Sequence, residues 1–487
     1  MSKSVAKNIL AKGSLEIFNT LLPFILTPYV YRVVGRDWIG NIEYTNTLLS
    51  YFSIMGMLGI YNYGLRSLSS NRNNLVLVRD TFKNLFTIGL VSNLTFFLLY
   101  VLFIHYCITD EAVKIIGYIF SANLFAQALN IEWVNEAFEE FQFITTKTIL
   151  IRLLSVIAIF SFVRSSRDAI IYVAILSGIT LINYLVSFVY AIKRLNIPAY
   201  ELFSGLHWKD FIPALLIILV LRNTGILYTI VDRTMLGHYT GTANVALFSI
   251  GQRVVEIVKA LVLSVVFATL PRLALYLKED RELYLQGLRK IIRLMIALLM
   301  PIGIGLFLLS EEVILIMGGE QYIGAVASMR IFSLRLICLG IESIIYNQIL
   351  FLHGKEKVIL KYNLLCGLLN VGLNFIFLSV LDPFIAILTT WICEIIFQLS
   401  CLLYIKNKLR INIGLLTKYN LRYLSLSLLF IPIVIGFKLL PISQVLHTVL
   451  SIFSCAIFYF SILYYRKDES LMEIMARCRT NINSYLK

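Results

Sequence analysis

Apolar residues run along this chain in blocks of roughly 20, the length a helix needs to cross the hydrocarbon core of a bilayer. Polar and charged residues gather in short stretches between the blocks. The blocks predict spans at 11–31, 44–65, 84–106, 112–131, 148–163, 169–192, 211–231, 243–270, 291–310, 330–352, 362–381, 383–405, 423–440 and 443–465. The pair Asp382-Pro383 separates the eleventh span from the twelfth, since aspartate caps a helix start and proline suits its first turn. The first block is too long for the apolar region of a secretory leader and no A-x-A-like cleavage site follows it, so it is expected to remain as the first span. The longest interval, near 271–290, carries Leu273, Leu275, Leu277, Leu283, Leu285 and Leu288 among charges. It predicts an amphipathic helix lying on the inner leaflet. The expected fold is all-α and integral to the membrane, with about fourteen transmembrane helices and no soluble domain.

Charge placement gives these spans an orientation. With the N-terminus in the cytoplasm, the even-numbered loops and both termini hold most of the 43 lysines and arginines, which satisfies the positive-inside rule. Loop 272–293 carries Arg272, Lys278, Arg281, Arg289, Lys290 and Arg293; loop 406–422 carries Lys406, Lys408, Arg410, Lys418 and Arg422. Loop 132–147 is the exception, with Glu132, Glu136, Glu139 and Glu140 against Lys147; acidic residues weigh little in the rule. An even number of spans then puts both termini inside a plasma membrane.

Composition agrees. Of 487 residues, 59% are hydrophobic and 15% charged, short of the roughly 25% charged residues of a soluble protein. The net charge of +15 would suggest nucleic acid in a soluble chain, but no basic stretch here is long enough to form such a surface. Topology and anionic headgroups account for it instead. The seven cysteines form no C-x-x-C pair and read as small buried apolar residues. The chain has no G-x-x-x-x-G-K-[ST] motif, no metal-ligand spacing, no Ser-His-Asp pattern and no acidic pair in a large loop. It is therefore expected to need no cofactor or metal and to be no enzyme. A glycopolymer polymerase or ligase would want a large extracytoplasmic loop.

The two halves echo each other at an offset of about 200 residues, as parallel repeats do. Tyr31-Arg32 with Gly40 answers Asp232-Arg233 with Gly241; Tyr63-Gly64-Leu65-Arg66 answers Leu270-Pro271-Arg272-Leu273; Asn135-Glu136 and Lys147 answer Asn347-Gln348 and Lys361. Six spans separate equivalent points, so orientation is preserved. The expected organisation is an N-terminal lobe over 1–205, a C-terminal lobe over 206–410 around a central cavity, and an appended pair of spans with a cytoplasmic tail over 411–487.

Ionisable residues inside spans are costly and so mark candidate function. Glu16 lies in span 1. Arg222 and Asn223 lie in span 7. Gln252, Arg253, Glu256 and Lys259 lie in span 8, with the three charged residues at i, i+3 and i+6, so that neighbours can neutralise each other. Arg335 and Glu342 share a face of span 10, and Glu394 with Gln398 a face of span 12. The plainer role for each is an ion pair between packed helices or, as for Arg330 near a span end, a side chain snorkelling to the interface. Guanidinium groups at 222, 253 and 335 together suit a phosphate or pyrophosphate, whose oxygens a planar fork binds in pairs. Pro23, Pro28 and Pro301 interrupt spans 1 and 9, as kinks lining a cavity do.

Several of these segments carry a resemblance. Tyr61-Asn62-Tyr63-Gly64-Leu65-Arg66, Ile131-Glu132-Trp133-Val134-Asn135-Glu136-Ala137, Gln252-Arg253, Pro271-Arg272-Leu273, Gln348-Ile349-Leu350-Phe351 and Gly354-Lys355-Glu356-Lys357 resemble the polysaccharide-unit flippases. These are the Wzx-type and teichoic-acid-unit flippases of the multidrug/oligosaccharidyl-lipid/polysaccharide exporter superfamily, and the chain looks most like the Gram-positive teichoic-acid branch. The resemblance covers about residues 5–465. It implies a V-shaped, two-lobed fold and movement of undecaprenyl-pyrophosphate-linked oligosaccharide, for a teichoic acid or capsule, from the inner to the outer leaflet of a bacterial membrane. It implies a cationic cavity, to which Arg66 and Arg253 belong by motif; Arg222, Arg335 and Lys259 rest on placement alone. Glu16, Glu256 and Glu342 depart from a purely cationic lining and would serve as ion-pair or coupling-cation groups. Partners implied are membrane lipids and the glycosyltransferases, polymerase or ligase of the same pathway, with the chain itself a monomer. The other reading is a multidrug or small-solute cation antiporter of the same superfamily.

Overall fold

A computed structural model of the protein describes residues 3–223, 226–415, 417–469 and 471–472. Among these the chain is helical, with no strand, and it divides after Ala246 into two compact units.

The first unit contains α1 (Lys3–Val34), α2 (Arg36–Met57), α3 (Ile60–Ser70), α4 (Leu75–Cys107), α5 (Glu111–Gln127), α6 (Glu132–Ala137), α7 (Phe141–Phe162), α8 (Ala169–Leu195), α9 (Ile212–Arg222) and α10 (Ile226–Tyr239). Side chains start two of them: Asn74 Oδ1 accepts from Leu77 N at the head of α4, and Asp110 Oδ1 from Val113 N at the head of α5. Each such cap is worth about 1 kcal/mol. α2 packs on α4, α5 and α10, α5 on α8, α7 on α1 and α8, and α9 on α3.

Helix α11 (Thr242–Glu279) leads into the second unit. There follow α12 (Arg281–Leu308), α13 (Ser310–Gly318), α14 (Val326–Ser343), α15 (Glu356–Ile376), α16 (Pro383–Tyr404), α17 (Lys418–Leu428), α18 (Phe430–Lys438) and α19 (Gln444–Tyr465). Asp382 caps α16 through Ile385 N at 2.7 Å, with Pro383 in the first turn, as the dipeptide predicts. α12 is the hub, packed by α14, α17, α18 and α19. α14 passes into a π-helical stretch, Ile344–Phe351, which holds Asn347-Gln348.

Ten helices among the described residues are long and apolar enough to cross a membrane. Large apolar side chains such as Leu98, Ile157, Leu368 and Phe453 stand exposed on them, and so many exposed apolar groups need lipid as solvent. The chain is a multi-pass membrane protein. The other four predicted spans fall on α1, α2–α3, α9–α10 and α11. Span 2 is not one helix: Leu58 (φ 48) and Gly59 (φ 77) take left-handed backbone between α2 and α3. Gly59 also lies against α9, where a Cβ would come within 2.9 Å of Ile218, so side-chain bulk and backbone both call for glycine. Over span 7 the described residues form α9 and α10. α11 carries Arg253, Glu256 and Lys259.

The predicted interfacial helix near 271–290 is instead the turn of a hairpin. α11 runs on to Glu279, Asp280 caps α12, and Leu273, Tyr284 and Leu288 are buried in the seam. Of the six leucines, Leu273 and Leu288 are buried, whereas Leu275 and Leu283 stay exposed.

Loops predicted to share a side of the membrane touch one another within each unit. In the first, Arg72 pairs with Glu139 at 2.7 Å, His207 with Asp80 at 3.2 Å, and Arg79 donates to Leu195 O. In the second, Arg281 donates to Leu409 O and Arg293 lies 3.5 Å from Asp468. At the opposite ends, Tyr29 donates to Val163 O, and Glu312 pairs with Lys438 at 2.6 Å and faces His447 at 3.3 Å.

Candidate functional site

The family-like motifs meet inside the first unit. α3 carries Tyr61-Asn62-Tyr63-Gly64-Leu65-Arg66 and α6 carries Glu132-Trp133-Val134-Asn135-Glu136-Ala137. A Cβ on Gly64 would lie 2.4 Å from the Trp133 ring, so only glycine lets the indole seat there. Trp133 is fully buried with Phe82, Leu85 and Leu68. Tyr61 hydrogen-bonds Glu136 beside this contact. In the second unit the equivalent segments also join: Gln348 donates to Val266 O at 3.1 Å and to Thr269 Oγ1 at 2.8 Å. These motifs are first of all helix joints. Arg66 projects from α3 into the open.

The acidic loop of the first unit is neutralised locally. Lys147 of α7 is buried against Glu132 at 2.9 Å and donates to Ser187 at 2.5 Å, while Ser187 also donates to Glu132. Glu140 takes Arg194 and Tyr190. Arg233 of α10 pairs with Glu43 of α2 at 3.4 Å, and Tyr31 donates to the same carboxylate. Each is a charge within or beside apolar helices that is held by an opposite charge from another helix, as burial demands.

The second unit gathers most of the intramembrane charge that the sequence singles out. α11 presents Gln252, Arg253, Glu256 and Lys259; α14 presents Arg335, Cys338 and Glu342; α16 presents Trp391, Glu394 and Gln398. α14 and α16 pack side by side. Arg335 Nε and Nη2 donate to Glu394 Oε2 and Oε1 at 2.8 and 2.6 Å, a buried two-point pair. One turn further along, Gln398 donates to Cys338 O at 3.0 Å, and Trp391 Nε1 approaches Cys338 Sγ at 3.2 Å. Glu342 hydrogen-bonds Gln398 and lies within electrostatic range of Glu394, Arg335 and Lys259. Its Oε2 is buried without a hydrogen-bond partner. On α11, Gln252 donates to Glu256 at 2.7 Å, Glu256 is exposed, and Arg253 and Lys259 are half-buried.

The structure thus brings Arg335, Glu394 and Lys259 within electrostatic range of Glu342; Arg253 and Glu256 share α11 with Lys259. Arg66 belongs to the first unit. The side chains of Glu16 and Arg222 lie outside the described residues. Glu394, noted in the sequence only as a carboxylate within a span, is the group that fixes Arg335. Glu342, seven residues after Arg335 on α14, is the less saturated carboxylate among the described residues of the cluster. The signal for Glu394 was present as a charge at an apolar position, but its partner lies on another helix. Chemically the cluster offers Lys259 to an anion and Glu342 to a cation, with Arg335 already engaged in both arms of its fork.

Comparisons with known proteins complete the picture. A family described as Polysaccharide biosynthesis protein matches residues 5–276, and MatE matches residues 220–376. A Haemophilus influenzae Lsg locus protein is 23% identical over 383 residues, spanning 73% of this chain and 87% of the relative. Among solved structures, Lipid II flippase MurJ in an inward closed conformation superposes with a TM-score of 0.75 at 14% identity, covering 95% of this chain and 99% of that one. An inward-facing multidrug resistance MATE family transporter of the MOP superfamily gives 0.59 at 13% identity, covering 82% and 98%. At such identities the likeness is one of fold. With a match over more than half its length, this chain belongs to the polysaccharide biosynthesis protein family and has the helical fold shared by MurJ and MATE transporters.

Proposed function

We propose that the chain is a flippase that moves undecaprenyl-pyrophosphate-linked oligosaccharide units from the inner to the outer leaflet of a bacterial plasma membrane by alternating access. Its fourteen spans would leave both termini in the cytoplasm. The observation that carries the reading is the charged cluster on α11, α14 and α16, set among apolar helices where ionisable groups are costly and so mark candidate function. Family membership and the likeness to a lipid II flippase fold support it. Arg253 and Lys259, half-buried on α11, are the groups proposed to meet the pyrophosphate. Arg66 and Arg222 are proposed to serve the headgroup elsewhere on its path. Teichoic acid or capsule is the proposed pathway, with its glycosyltransferases and polymerase or ligase as partners and the chain working as a monomer.

The test is Arg253→Ala in the native host. Export of surface glycopolymer should fall at least tenfold while the protein stays in the membrane at normal abundance. Unchanged surface glycopolymer would refute the role.

A cation antiporter is the second reading, and Glu342 favours it. A buried carboxylate oxygen without a hydrogen-bond partner is what a coupling cation would seek, and the MatE match spans α11 and α14. Drug accumulation in cells lacking or overproducing the chain separates the two: a change without loss of glycopolymer supports the antiporter.

A further inference from the structure

Where α12 meets the start of α17, the second unit holds an open cavity of about 960 Å³. Arg289, Lys290 and Arg293 of α12 form its basic wall; Thr417 and Asn420 belong to the opposite one. The cavity lies where the apolar stretch of α12 begins, the level of lipid headgroups.

Three observations define what would fit. Arg289 and Lys290 are exposed, and the contact of Arg289 with Glu282 is long, 3.9 Å, between two solvated side chains, so it is easily given up. Arg293 is engaged already. It donates to Tyr423 Oη at 3.2 Å, pairs with Asp468 and Glu469, and lies 3.9 Å over the Tyr419 ring. Its charge is offset by these carboxylates, with Glu469 tied to it, so the wall's attraction for an anion rests on Arg289 and Lys290. The opposite wall is the N-terminus of α17, whose backbone dipole also favours an anion.

Asn420 supplies the specificity. It is 5% exposed. Its amide nitrogen donates to Leu415 O at 2.9 Å and Gly414 O at 3.3 Å, which fixes the amide the right way round. Its Oδ1 is then a buried acceptor with no partner, and a buried acceptor left unmade is unfavourable. A phosphate diester has no hydrogen to offer it. A hydroxyl beside the phosphate does.

We propose that this pocket binds a glycerol-phosphate-type anion: a phosphate held by Arg289 and Lys290 at the α17 N-terminus, with a neighbouring hydroxyl donating to Asn420 Oδ1. The shared chemistry comes from two sources, the headgroup of phosphatidylglycerol in the bilayer or a soluble glycerol phosphate. The site is separate from the cluster on α11, α14 and α16 and does not depend on what that cluster carries.

The test is native mass spectrometry of the purified full chain with dioleoyl phosphatidylglycerol, phosphatidylmethanol or phosphatidylcholine, with and without millimolar glycerol 1-phosphate. Phosphatidylglycerol should be retained at least tenfold over phosphatidylcholine and severalfold over phosphatidylmethanol, an equally charged diester without a hydroxyl. Arg289→Gln with Lys290→Gln, both at exposed positions that leave folding intact, should abolish the preference over phosphatidylcholine. Asn420→Ala should erase only the preference over phosphatidylmethanol. Displacement by glycerol 1-phosphate assigns the site to the soluble anion; its failure to displace assigns the site to the lipid. Equal retention of phosphatidylglycerol and phosphatidylcholine, or an unchanged preference in the double variant, overturns the proposal.

Discussion

Replacing Glu394 by glutamine leaves the Arg335 guanidinium charged, buried and without its counter-ion. In the native protein the pair is made at 2.8 and 2.6 Å, with the two side chains only 7% and 6% exposed. Breaking such a pair from one side costs about 3–5 kcal/mol. Glutamine keeps one acceptor, which recovers about 1 kcal/mol, and Glu342 stands within electrostatic range to take part of the charge. The expected net loss is therefore about 2–3 kcal/mol. In a unit of this size that lowers the midpoint of thermal unfolding by roughly 4–10 °C. Arg335→Met with Glu394→Leu removes both charges and should return stability to within about 1 kcal/mol of the parent, since apolar side chains of similar volume replace a buried pair without penalty. Thermal unfolding of detergent-purified protein reads both. A midpoint within 1 °C of the parent for Glu394→Gln would refute the reasoning and mean that Arg335 is not held where it is drawn. The export phenotype of the stable double variant then divides two roles. Normal export makes the pair a structural clamp between α14 and α16; lost export shows that Arg335 also acts on the cargo.

Gly64→Leu should drive a branched side chain into the Trp133 ring, where even a Cβ has only 2.4 Å; a loss of about 1–3 kcal/mol or failure to accumulate in the membrane is expected, read by fluorescence-detected size exclusion. Glu312→Gln removes the shared partner of Lys438 and His447. The loss should be about 1.5–3 kcal/mol and, because Lys438 can turn to water, should appear as faster proteolysis of α18 and α19 rather than loss of the whole fold.

The hydrophobic pattern carried the helical class, the pairing of loops by side and several helix starts. Asp382-Pro383 works as a cap because capping is a contact between neighbours three residues apart, which a sequence displays directly. The arginines at 253 and 335 stood out because a charge inside an apolar run is visible without knowing any partner. What the pattern missed was the breaks: Leu58 and Gly59 interrupt a run that stays apolar throughout, so hydropathy continues where the helix does not. The expected interfacial helix is instead the end of α11 and the start of α12, because a leucine pattern shows neither where one helix stops nor which leucines packing will cover.

The role of each charge was decided only by the tertiary structure. In sequence Arg335 and Glu394 are 59 residues apart and only Arg335 suggests a cargo site; in space they make a two-point pair, and Glu342 keeps one buried oxygen without a hydrogen-bond partner among the described residues. The same holds for Lys147, whose buried pairing with Glu132 and Ser187 no local pattern announces. Hydropathy is a property of each residue and its near neighbours, so membrane residence and helix class could be read from the chain alone. Charge compensation is a property of pairs brought together by packing, and so the division of these residues into clamps and candidate binding groups waited on the fold.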